Sequence, residues 1–171
     1  MKPKLLLHSC CGPCSSYVIT SLMDSFDITL FFYNPNIEPY EEYEKRKENQ
    51  IKLCNTLNIK IIDSDYDNET FKNIGLSNEL EKGKRCEECF RLRLNKTASK
   101  AKEYFGTTLT VSPHKNSELI NEIGLELEKK YNVKFLLRDF KKNDGYKKSI
   151  ELANMHNLYR QNYCGCLYSK R

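Results

Sequence analysis

The chain has 171 residues, 39% hydrophobic and 30% charged, with a formal net charge of +5. That is the size of one domain with a single sizeable core, and the composition excludes a disordered or low-complexity chain. No run of eighteen apolar residues is present, so no membrane span is expected, and the "LLL" after "MKPK" is too short for a signal-peptide core, which points to a soluble cytoplasmic protein.

Short runs rich in apolar, aromatic and β-branched residues predict buried strands at 4–8 (KLLLH), 28–33 (ITLFFY), 59–63 (IKIID), 107–111 (TTLTV) and 134–137 (KFLL). Helical spacing lies between them. Tyr17, Val18 and Leu22 mark the first helix, Tyr43, Ile51, Cys54 and Leu57 the second, Phe90, Leu94, Ala98 and Ala101 a third, and Leu119, Ile123 and Leu127 a fourth. The stretch 67–85 is weakly patterned, and an irregular tail starts near 159. Alternating strands and helices imply an α/β domain with a mainly parallel sheet of about five strands covered on both faces. Ligands of such sheets lie outside the carboxyl ends of the strands. That places SCCGPCS (9–15), NPNIEPY (34–40), SDYD (64–67) and SPHKN (112–116) around any site, with Ser15 or Ser16 as a cap for the first helix.

Seven of the eight cysteines fall into three groups: Cys10, Cys11 and Cys14; Cys86 and Cys89; Cys164 and Cys166. Cys54 lies on an apolar helical face and reads as a small buried hydrophobe. Seven thiols exceed what one tetrahedral zinc uses, and only Cys86 and Cys89 have knuckle spacing. In a chain without a secretory leader, clustered cysteines are metal ligands or redox centres more often than structural bridges. Iron-sulfur or mixed-metal redox chemistry, structural zinc, and metal-free thiol-disulfide exchange all remain open on the residues alone. Lys and Arg are concentrated in 82–102 and 129–148, each with eight against two acidic residues, which suits a polyanion such as RNA as well as it suits two solvated helix faces.

The blocks LLLHSCCGPCSSYV, TLFFYNPNIEPYEEYEKR, DYD, RCEECFRLRL, TTLTVSPHKNSELINEIG, RDFKKNDGYKKSIEL and LYRQNYCGC run nearly the whole length. In them the chain resembles the QueH family of epoxyqueuosine reductases. The resemblance implies one three-layer domain over 1–171, nucleotide-hydrolase-like (HUP or Rossmann-like), that reduces the epoxide of epoxyqueuosine to queuosine at the wobble position of tRNA. It implies a 4Fe-4S cluster on Cys10, Cys11, Cys86 and Cys89, a redox-active pair at Cys164 and Cys166, and Cys14 as ligand to an additional mononuclear iron. A second partition, with Cys86, Cys89, Cys164 and Cys166 on the cluster and Cys10, Cys11 and Cys14 on a lone iron, stays open.

Removing the epoxide oxygen as water takes two electrons and two protons, so an electron donor and a positioned acid are needed. Candidate acids are Asp65, Asp67, His114 and Tyr163, whereas His8 reads as packed and His156 as a surface residue on a helix. Arg85, Arg91, Arg93, Lys115, Lys141, Lys142 and Arg160 are the expected phosphate contacts, and Phe32, Tyr33 and Tyr40 the expected base-stacking aromatics. Two other classes compete: a zinc-stabilised RNA-binding module without catalysis, and an ATP-pyrophosphatase-like tRNA-modifying enzyme. The second would place glycines where Cys10 and Cys11 stand.

Overall fold

In the computed structural model, which describes residues 1–77 and 82–169, the first apolar run becomes strand β1 (Lys4–Ser9), with every residue after Lys4 buried. A strand buried on both faces belongs in the middle of a parallel sheet. β1 pairs in parallel with β2 (Asp27–Phe32) on one side and β4 (Tyr104–Thr107) on the other. Beyond them lie β3 (Lys60–Asp63) and β5 (Lys134–Phe135), giving the order β3-β2-β1-β4-β5. The chain reverses its direction of travel across the sheet between β1 and β4. That junction is the topological switch point, where the first turns out of neighbouring strands diverge and leave a crevice.

Helices cover both faces, as the alternating pattern requires. α1 (Gly12–Leu22) packs against α2 (Tyr40–Leu57) and α6 (Gly145–Met155), while α4 (Lys82–Lys100) packs against α3 (Asn68–Ser77) and α5 (Ser117–Tyr131). The core between the layers is built from Leu5, Leu7, Val18, Ile19, Leu30, Leu94, Phe105 and Ile123, all under 5% exposed. Cys54 is fully buried in it, and burial pushes its thiol up to about 11.

Four local expectations are corrected. The run 107–111 is not a strand: β4 ends at Thr107, whose hydroxyl accepts the Leu109 N–H at 3.1 Å and turns the chain into a 3-10 turn, Leu109–Val111. Its apolar residues are core filling rather than sheet. The edge run 134–137 pairs over only two residues. Neither Ser15 nor Ser16 caps α1, which begins at Gly12 with Cys11 at its N-cap position. Their hydroxyls donate back to the carbonyls of Cys11 (2.8 Å) and Pro13 (2.6 Å). Helix α3 arises where no helical pattern is expected, the helix expected at His156 is α6, which ends at Met155 with His156 as its C-cap, and residues 78–81 of the weakly patterned stretch lie outside the described residues.

His8 locks the carboxyl edge of the three central strands. Its Nε2–H donates to the Tyr33 carbonyl at 3.0 Å just past β2, which leaves Nδ1 as acceptor for the Thr107 hydroxyl at 3.2 Å at the end of β4. Burial first, then the nearby Arg93 charge, holds His8 down at about 3, so it is a neutral structural bridge.

On the opposite layer, a Cβ built on Gly124 of α5 would meet the Phe135 ring at 2.4 Å. Gly124→Ala is therefore expected to lower the unfolding free energy by about 1–3 kcal/mol in urea denaturation. Adding Phe135→Leu should return part of that loss; no recovery would show that the contact is not its cause.

Candidate active site

Cys10 and Cys11 follow the last residue of the central strand directly, so the sheet itself delivers them to the switch point. Cys14 lies in the first turn of α1, and all three are at most 9% exposed. Their free thiols act on one another's protonation, Cys10 with Cys11 and Cys11 with Cys14. A hydrogen bond to Cys11, then burial, pushes the Cys10 thiol well up. Cys11 is pulled down by the bond from Cys10 but pushed up further by its bond to Cys14 and by burial, to about 11.

From the other helical layer, α4 brings Cys86 and Cys89, three residues apart and hence on one helix face. Cys89 is buried and Cys86 half-buried. Burial raises Cys89 to about 11 against the opposing pull of Arg93, with Cys164 and Cys86 adding to the rise. One turn further, Arg93 is 1% exposed; its Nε donates to the Cys89 carbonyl and its Nη1 to Asn34 Oδ1, both at 3.4 Å.

The third thiol group comes from the tail, which has no regular structure of its own around Cys164 and Cys166. It is stitched to α2 instead. Arg46, 2% exposed, donates from Nη1 to the Cys164 carbonyl (2.8 Å) and from Nη2 to the Tyr163 carbonyl (2.9 Å), while Nε pairs with Glu42 at 2.9 Å. The Tyr159 hydroxyl also donates to Glu42, at 2.9 Å. Glu38 adds two backbone bonds: its N–H donates to the Gly165 carbonyl at 2.8 Å, and its carbonyl accepts from the Tyr163 hydroxyl. Gly165 has φ +133°, and a Cβ there would press on Ile37 at 3.0 Å and Arg46 at 3.1 Å, so only glycine fits between the two cysteines without strain. Cys164 is held well below the usual thiol range by the bond from Cys166, against burial, with help from Lys115, Arg93 and Arg46; Cys166 is pushed up as the partner that keeps the proton.

Lys115, on the loop after the 3-10 turn, completes the cup. Burial lowers its ammonium and the charges of Cys164, Cys10 and Cys14 raise it more, so it stays a cation among thiols. Seven thiols from three parts of the chain thus share one cup with Arg93 and Lys115. All eight cysteines are free, and among the described residues no three Cys, His, Asp or Glu side chains stand as a ready cage for a single ion. The donor set suits a centre ligated by several thiolates: soft ligands at close spacing, buried, and facing positive charge.

The other expected site residues separate. Asp65 and His114 are exposed on the loops after β3 and β4. Asp67 accepts from the Tyr33 hydroxyl at 3.0 Å, and the Tyr163 hydroxyl is spent on Glu38. Arg93 faces the thiols instead of solvent, and Arg91 is tied to Glu126 at 2.6 Å, so neither is a free phosphate contact. Lys142 and Arg160 are exposed, whereas Lys141 donates to the Lys115 carbonyl at 2.9 Å. Phe32 and Tyr33 are buried, which leaves Tyr40, 53% exposed, as the accessible aromatic of the three. Sequence reasoning missed Arg46, which reads as one more charge in a Lys- and Glu-rich helix. The signal was its register: positions 43, 46, 50, 53 and 54 form one buried stripe of α2.

Three kinds of similarity bear on this site. A family model described as "Epoxyqueuosine reductase QueH" matches residues 5–171. Curated proteins of that description from Staphylococcus epidermidis and Streptococcus pyogenes serotype M1 are 45% and 43% identical over 98% and 100% of this chain and 76% and 72% of theirs. One from Thermotoga maritima is 38% identical over 96% of this chain and 89% of its own. Among solved structures, a predicted subunit of tRNA methyltransferase from Methanocaldococcus jannaschii superposes with a TM-score of 0.62 at 17% identity, covering 88% of this chain and 76% of that one, a likeness of fold alone.

Removing the Arg46 clamp should free the tail selectively. Arg46→Ala is expected to lower the local opening free energy by roughly 1.5–3 kcal/mol. Mass spectrometry should then read at least tenfold faster alkylation of Cys164 and Cys166, with Cys54 still protected and Arg46→Lys intermediate. Uniform acceleration at all cysteines would indicate global unfolding instead.

Proposed function

The chain belongs to the QueH family of epoxyqueuosine reductases, and from that premise we propose how the thiol cup carries out the reduction. The protein is an oxidoreductase of queuosine synthesis acting on epoxyqueuosine. Its substrate residue is the wobble nucleotide of tRNA, and the product is the alkene of queuosine plus water.

In this reading Cys10, Cys11, Cys86 and Cys89 hold a 4Fe-4S cluster, and Cys14 contributes to an additional mononuclear iron. When bound, such a centre passes single electrons, and an added iron polarises the epoxide oxygen. The remaining chemistry belongs to the chain. Cys164 and Cys166 share one proton as a thiolate-thiol pair. Closing them to a disulfide releases two electrons and the one proton of the pair; the second proton that loss of the epoxide oxygen as water demands comes from the Lys115 ammonium, which regains it from solvent. An external electron donor, a low-potential carrier, then reopens the disulfide. Arg46, Gly165 and Glu38 fix where that pair meets the substrate.

Lys115, the ammonium inside the cup, is placed to protonate the leaving oxygen, a far stronger base than its amine. Asp65 and His114 are alternate acids on the exposed loops at the rim. The exposed cations Lys142 and Arg160 hold tRNA phosphates, and Tyr40 offers a ring to an unstacked anticodon base. Among the described residues no helix is long and apolar enough to cross a membrane, and eight free thiols suit the reducing cytoplasm.

The observation that carries this reading is the convergence of three cysteine groups beneath Arg93 and Lys115 at the switch point. Two variants test it. Cys89→Ala is expected to lose both bound iron and turnover of epoxyqueuosine-containing tRNA. Cys166→Ser is expected to keep its iron while turnover falls to background; loss of iron there would move Cys164 and Cys166 onto the cluster, the second partition. Unchanged iron and activity in Cys89→Ala would overturn the ligand set.

A further inference from the structure

Arg93 is a buried charge without an acid to meet it. Its side chain is 1% exposed, its Nη2 has no hydrogen-bond partner, and no carboxylate pairs with it among the described residues. Arg46, a cation buried as deeply, shows the usual solution, a carboxylate at 2.9 Å. An unpaired buried guanidinium costs several kcal/mol, so folded proteins keep one only where an anion answers it. The groups whose charge acts on Arg93 are sulfur: Cys89 first, then Cys164, Cys10 and Cys166.

The orphan is not alone. Ser9 Oγ beside Cys10, Thr108 Oγ1 at the end of β4, and both polar atoms of Asn36 against Gly165 are buried and unpartnered. All sit at the carboxyl edge of the sheet, around the thiols. Native structures hold few such atoms, and a group of them in one place marks something that belongs there and accepts hydrogen bonds.

We propose that Arg93 is the counter-ion of an anionic metal-thiolate centre in this cup, its free Nη2 donating to a sulfur of that centre, with the Ser9 and Thr108 hydroxyls donating alongside. The inference rests on the cluster reading above and goes beyond the choice of ligands, because it assigns control of the reduction potential to a residue that ligates nothing. The sign follows from charge. Reduction adds an electron to an anion, and a fixed cation in contact stabilises the reduced form more than the oxidised one, so the potential rises. Hydrogen bonds to the sulfurs act in the same direction.

The test is an anaerobic redox titration of the reconstituted protein followed by EPR, on wild type, Arg93→Gln and Arg93→Lys. At the wild-type midpoint, Arg93→Gln should show a reduced-to-oxidised ratio about tenfold lower than wild type, equivalent to a fall of 59 mV for one electron. Arg93→Lys, which keeps the charge, should stay within about threefold of wild type. Loss of the centre from Arg93→Gln with retention in Arg93→Lys would equally support the counter-ion role. Equal midpoints in all three, or loss from both variants with folded circular dichroism, would overturn it. Absence of any iron-sulfur centre from reconstituted wild type would instead sink the cluster reading and this inference together.

Discussion

Positive charge buried at the carboxyl end of the central strands is the constraint around which this molecule is arranged. Arg93 reaches the crevice from α4, Lys115 from the loop after β4, and Arg46 from α2. Lys115 is half-buried, whereas Arg93 and Arg46, 1% and 2% exposed, would each cost several kcal/mol if left uncompensated. Glu42 answers Arg46, and no carboxylate answers Arg93 among the described residues. The answer for the other two is sulfur. Thiols are poor anions alone: burial drives Cys10, Cys11 and Cys89 upward, toward the protonated state. A cationic pocket lined by reluctant thiols is stable only as half of something, and the proposed cluster is the other half.

The parallel sheet makes that pocket possible. With β1 in the middle and the connections diverging at its β4 side, the residues just past Ser9 enter a crevice where backbone N–H groups at the start of α1 also point. His8, neutral and bonded to both neighbouring strand ends, holds the crevice open at a fixed width without adding charge. Cys164 and Cys166 arrive on a segment with no secondary structure, so their position depends on side-chain clamps rather than on a ladder. The proposed redox pair, changing its bonding with each turnover, would gain from such a mount, since a clamp of a few hydrogen bonds yields more readily than a strand.

Much of this was legible in the sequence. The alternation of strands and helices, a parallel sheet of five strands with four of them in their expected places, and the gathering of the loops after β1, β2 and β4 follow from short apolar runs and from the rule that such sheets bind at their carboxyl ends. The three cysteine groups stood out because adjacent thiols make a poor core. What escaped reading depends on contacts distant in sequence. Arg46 sits among Glu42, Glu44, Lys45 and Lys47, and its burial is created by carbonyls more than a hundred residues later. Arg93 belongs to a stretch so rich in Lys and Arg that it reads as an RNA-facing surface, yet its helix turns that one position inward. Helix α6 is expected only as the helix that carries His156, without bounds, because only Gly145, Ser149 and Ala153 of it are fully buried, and small residues carry little hydrophobic signal. The run at 107–111 has strand composition, but the Thr107 hydroxyl captures the backbone and ends pairing.

The most direct measurement is iron and acid-labile sulfide per chain on anaerobically reconstituted protein, with EPR before and after dithionite. About four irons and four sulfides, or five irons if Cys14 holds a further ion, with a signal that appears on reduction, is the predicted result. Reconstituted protein containing only zinc, or no metal, would contradict the account and turn attention to thiol-disulfide chemistry alone.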